Sequence, residues 1–114
     1  MGSDNLIFSI QSNRDLFKSS LLIGKKLKLR EFKHLFKNQE LIKIIKNDSI
    51  NETVDAFTKG NLNLTQASDA SYVHRNTLIY RIEKVNNTIG LDLRKFEDCV
   101  IYMNMREVYK MVKK

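Results

Sequence analysis

The chain has 114 residues, a net charge of +7 and 42% hydrophobic residues, which is one domain's worth of chain able to bury a single core. Proline is absent and cysteine occurs once, so helices meet few breakers, no internal disulfide can form, and a reducing cytoplasm suits the protein. No apolar run approaches the roughly 18 residues of a membrane span, the N-terminus lacks a signal-peptide layout, and no Cys/His cluster has metal-ligand spacing; neither a membrane partner nor a metal or cofactor is expected.

In chain order, Leu6 to Ile10 is a short apolar run that suits strand or helix, and helix is the expectation. Asn13 caps a helix carrying Leu16, Phe17, Leu21 and Leu22, which Gly24 ends. Lys25 to Arg30 alternates charge with leucine and reads as a linker or a brief extended piece. Phe32, Leu35 and Phe36, then Leu41, Ile42 and Ile45 after Asn38, recur at helical spacing and give two short helices or one kinked one. Ser49 to Glu52 has the S-x-x-E spacing of a capping box, so a helix should start at Ser49, bury Ile50, Val54 and Phe57, and stop at Gly60. The charge is unevenly placed. Nine basic residues between Lys18 and Lys46 face only Glu31 and Glu40, a local balance of +7, whereas Ser49 to Gly90 balances to zero. That basic stretch is either a solvated face or a source of attraction to a polyanion.

The next stretch is the most informative. Thr65 to Ser71 suits a short helix, Tyr72 and Val73 a tight turn, and His74 the N-cap of a second helix reaching Ile89. Leu78, Ile82, Val85 and Ile89 are four, three and four residues apart, which makes one inward apolar stripe. Gly90 ends that helix, and Leu91 and Leu93 fold back as anchors. A last helix from about Phe96 carries Val100, Ile101, Met103, Met105, Val108 and Val112 on a broad apolar face, wide enough to seal the core and leave a strip for a second subunit. The fold class is therefore all-α, a helical bundle containing a helix-turn-helix.

The string YVHRNTLIYRIEKVNNTIGLDL resembles the C-terminal helix-turn-helix of the PucR/CdaR class of bacterial regulators, whose pattern runs roughly Y-I-H-R-N-T-L-R-Y-R-L and then T-G-L-D-L. It is more distantly similar to the Fis-type helix-turn-helix, with Asn63, Thr65, Ala67, Val73, Arg75, Thr77 and Leu78 on matching positions. The resemblance covers about Ser49 to Val108 and divides the chain into a basic helical segment, 1–47, for dimerisation, as linker or as remnant of an upstream domain, and a helix-turn-helix domain, 48–114. In the family's pattern the helix from Ser49 is the support helix. Ile79, Ser71 and Asp69 stand where the family usually has a basic residue, a buried Leu, and a basic or neutral residue; Ser71 should loosen the packing of the first helix on the second.

The resemblance implies a sequence-specific transcriptional regulator that lays the helix from His74 to Ile89 in the major groove of double-stranded DNA. A single short helix reads few base pairs, so a homodimer reading two half-sites is expected. Arg75 is the expected base reader, since a guanidinium bonds O6 and N7 of guanine together, worth roughly 1–3 kcal/mol of discrimination; the plainer role is a pairing with a carboxylate or phosphate. Asn76 suits adenine or simple helix-end chemistry, and Thr77 a phosphate or thymine methyl. His74 caps and can also touch a phosphate. Tyr80 either meets DNA or packs, Arg81 suits a phosphate, and Thr65 and Gln66 can offer backbone N–H groups and side chains to one.

An enzyme is not expected: His34 has no nucleophile motif nearby, Cys99 lies among apolar residues, and there is no glycine-rich phosphate loop. The residues ahead of Ser49 are too few for a separate ligand-binding domain, so no small-molecule effector is expected within this chain, which is either a fragment or takes its signal from a partner. The rival reading is a helical protein-interaction module that uses the helix-turn-helix as a scaffold, Ile79 and the neutral recognition surface meeting another protein.

Overall fold

The computed structural model describes Ile7, Ile10 and residues 36–112. The expected helix from Asn13, the 25–30 stretch, Phe32, His34 and Leu35, and the side chain of Val112 lie outside the described residues. The described residues include no strand, and five α-helices have their bounds among them: α1 Gln39–Ile45, α2 Asp48–Lys59, α3 Leu64–Ser71, α4 Arg75–Ile89 and α5 Phe96–Val112. The all-α expectation holds.

Asparagine opens the first three helices. Asn38 Oδ1 accepts from the N–H groups of Glu40 and Leu41, Asn47 Oδ1 from Ile50, and Asn63 Oδ1 from Gln66, at 2.9 to 3.2 Å. Each satisfies donors that the first helical turn leaves without partners. α2 corrects the expected capping box. It starts at Asp48 under Asn47, and Glu52 turns away to Arg81. In α1 the buried residues are Leu41, Ile44 and Ile45; Ile42, expected inside, is only half-buried.

The α2–α3 corner is tighter than the sequence suggests. Gly60 has φ −97°, and the left-handed residues are Asn61 (φ 54°) and Leu62 (φ 61°). Leu62 N–H reaches back to Phe57 O at 2.8 Å, the six-residue closure of a Schellman motif with Asn61 as its left-handed residue. Gly60 serves proximity instead: a Cβ there would stand 3.0 Å from Ala67 N and 3.2 Å from Ala56 O.

A single core joins these helices. Leu41, Ile44 and Ile45 of α1, Ile50, Val54 and Phe57 of α2, Ala67 of α3, the α4 stripe, Leu91, Leu93 and much of α5 form one buried cluster, which Ile10 also enters. The two described residues of the first apolar run, Ile7 and Ile10, are helical. Gly90 (φ 76°) ends α4 in the left-handed conformation, and a Cβ on it would stand 2.9 Å from Ile7 Cγ2. The turn after it is pinned to α5, because buried Asp98 accepts the Asp92 N–H at 2.9 Å.

A polar brace crosses the core between α1, α2 and α5. Tyr102 is fully buried, and its hydroxyl donates to Asn51 Oδ1 at 2.9 Å and also lies 3.3 Å from Ile44 O. Asn51 donates in turn to Ile45 O at 2.7 Å, while Arg106 of α5 bonds both Asn51 and Asp55 of α2 at 3.3 Å. Burial holds the Tyr102 phenol protonated well above its ordinary range, since a phenolate there would be desolvated, and the nearby Arg106 charge offsets this only in part.

Candidate nucleic-acid interface

α4 has two unlike faces. Leu78, Ile82, Val85 and Ile89 are at most 1% exposed, so the spacing read from sequence is the spacing that packs. On the other side His74, Arg75, Asn76, Thr77 and Tyr80 are exposed, as are Thr65 and Gln66 at the start of α3. The structure thus places seven of the eight expected contact residues in solvent, on two short helices joined by a tight turn.

His74 is the N-cap: its Nδ1 accepts the Asn76 N–H at 3.0 Å. An imidazole that accepts at Nδ1 carries its proton on Nε2, so the cap sets the tautomer and leaves a donor on the outer ring nitrogen. At α3 the Gln66 N–H is occupied by Asn63, so Gln66 presents its side chain and not the backbone donor expected of it.

Arg81 departs from the group. Its Nη1 donates to Ser49 O (3.3 Å), Glu52 Oε1 (3.1 Å) and Thr53 Oγ1 (3.3 Å), and its side chain is only 18% exposed. The guanidinium expected on a phosphate instead ties α4 to α2.

Serine shapes the turn. Ser68 Oγ donates to Val73 O at 2.7 Å; Ser71 Oγ donates to Ala67 O at 2.7 Å and accepts from Val73 N–H at 3.3 Å. Where an apolar residue was the family expectation, Ser71 thus supplies hydrogen bonds to the α3–α4 connection. Between Ser71 and Val73, Tyr72 adopts φ 57°, ψ 24°, a left-handed conformation that costs a residue with a Cβ roughly 1 kcal/mol, and it is 95% exposed. Sequence reasoning treated Tyr72 only as a turn residue; neither its conformation nor its exposure has a signal in composition or periodicity.

Electrostatics on this body are nearly balanced. Residues 36–112 hold eleven Lys and Arg against ten Asp and Glu, so most of the chain's +7 lies on residues outside that span. Partial burial pushes the Asp92 carboxyl up, but hydrogen bonds and charge from Arg94, 3.0 Å away, outweigh it and hold it below the usual carboxylate range. Cys99, buried on α5, is pushed up by desolvation to about 11, the state of an inert small hydrophobe and not of a nucleophile. An apolar groove lined by Leu62, Phe96, Cys99, Val100 and Met103 includes none of the eight residues.

A capped helix with a polar, solvent-facing first turn, packed on a short helix through a tight turn and backed by a support helix, defines a helix-turn-helix domain. Residues 51–103 match the family described as the PucR C-terminal helix-turn-helix domain. A 52-residue stretch is 36% identical to the carbohydrate diacid regulator of Escherichia coli, covering 46% of this chain and 14% of that protein. The chain therefore corresponds to a small part of the regulator's length. No solved structure matches.

Proposed function

We propose that this chain is a sequence-specific, DNA-binding transcriptional regulator that inserts the first turns of α4 into the major groove and works as a homodimer. The observation that carries the reading is the exposure of Arg75, Asn76 and Thr77 on a first turn whose helix is fixed from behind by four buried side chains. The match to a helix-turn-helix domain and the similarity to a regulator support it. Arg75 bonds a guanine edge, Asn76 and Thr77 read the neighbouring bases, and Thr65, Gln66, His74 and Tyr80 position the helix on phosphates. The module itself performs no catalysis.

The test is selection of bound fragments from random duplex DNA by the purified protein. Expected is enrichment of a two-fold symmetric motif with half-sites about 34–36 Å apart, and binding that weakens steeply with salt. Arg75→Ala should lower affinity for the selected duplex by roughly 5- to 100-fold, the range of one bidentate base contact, and affinity for random duplex far less. No enrichment, or binding indifferent to salt, would leave the rival protein-interaction reading in possession.

A further inference from the structure

We infer that Tyr72 is a further DNA-contact residue, its ring lying on a deoxyribose beside the bases that α4 reads and its hydroxyl donating to the adjacent phosphate; this rests on the DNA-binding reading above. Two independent observations meet at this residue. The ring is 95% exposed, so the fold makes almost no use of it. The backbone is left-handed, spanned by the hydrogen bonds that Ser68 and Ser71 make with Val73, in a conformation that glycine adopts without strain. Glycine would hold this turn with less backbone strain. A large ring kept in water on a strained backbone indicates a use outside the fold.

Location narrows the partner. Tyr72 is two residues before His74, so its Cα lies within about 7 Å of the cap of α4, close to the turn that carries Arg75, Asn76 and Thr77. The residues flanking it in sequence include exposed, polar Asp69, His74 and Arg75, with only Ala70 and half-buried Val73 apolar, which does not make the broad apolar centre of a protein interface. The apolar groove beside Phe96 does not include it. An isolated phenol next to a base-reading helix matches the sugar-phosphate backbone, which offers an apolar sugar face and an anionic acceptor side by side.

The experiment compares the full chain with Tyr72→Phe, Tyr72→Gly and Arg75→Ala, measuring thermal unfolding and affinity for both the selected duplex and a random 20-base-pair duplex. Removing the hydroxyl should weaken both duplexes by about 2- to 10-fold, since one hydrogen bond is lost and carries no sequence information. Tyr72→Gly should weaken both by about tenfold or more while raising the melting temperature by a few degrees, the opposite signs expected of a strained contact residue. A lowered melting temperature for Tyr72→Gly would mean that the ring supports the fold and would overturn the inference. So would affinities within twofold of the parent while Arg75→Ala still loses binding, and in that case the DNA-binding reading survives. If the parent chain binds neither duplex at low salt, both readings fall together.

Discussion

Arg81 Nη1 lies 3.1 Å from Glu52 Oε1 and within 3.3 Å of Ser49 O and Thr53 Oγ1, so one guanidinium joins α4 to three residues of α2. The arrangement decides what losing Arg81 should do. A residue on a phosphate would affect DNA affinity alone, and a residue inside the fold must affect stability as well.

Arg81→Ala is therefore expected to lower unfolding free energy by about 1–2 kcal/mol in urea denaturation, most of it from the hydrogen bond to buried Thr53. Glu52→Gln should cost well under 1 kcal/mol, because that carboxylate is 55% exposed and its ion pair is screened. An Arg81→Ala protein as stable as the parent but weaker on random duplex would return the residue to a phosphate role.

Gly60→Ala tests the α2–α3 corner. In an ordinary helix end alanine would be favoured, and φ −97° permits it. The added Cβ would nevertheless stand 3.0 Å from Ala67 N and 3.2 Å from Ala56 O, both backbone atoms that move only if α3 shifts. A loss of about 1–3 kcal/mol by chemical denaturation is expected, in the range of overpacked sites. A gain in stability would show that α3 yields freely.

Alkaline pH should destabilise the fold through Cys99. Its pKa rises from 9.0 to about 11 on folding, so between these values the unfolded chain releases a proton that the folded one keeps. The contribution is fully present below pH 9 and is lost as pH rises through 11, on the order of 3 kcal/mol in all. Cys99→Val should flatten this part of the stability profile, measured as urea midpoints from pH 8 to 11. Identical profiles for the two proteins would show that the thiol is not the titrating group.

Much of this architecture is legible in the sequence because periodicity records burial directly. The α4 stripe, its His74 cap and its Gly90 stop were all readable, since each depends on residues within a few positions of one another. The capping box from Ser49 failed for the opposite reason. Glu52 has a better partner 29 residues away in Arg81, and no local pattern announces it. Asn51 and Tyr102 escaped notice likewise: neither breaks its helix's pattern, and their pairing joins residues 51 positions apart. Of the candidate site, residue types and spacing suggested which side chains face outward, but the inward turn of Arg81 and the strained, bare Tyr72 are tertiary facts.

The brace of Asn51, Tyr102 and Arg106 has a mechanical consequence. It grips the carbonyls that close α1, Ile44 O and Ile45 O, while Leu41, Ile44 and Ile45 share one core with the back of α4. A displacement of α1 is thus passed to the back of α4 and not absorbed by a slack joint, so under the function proposed above it would tilt the face that meets DNA.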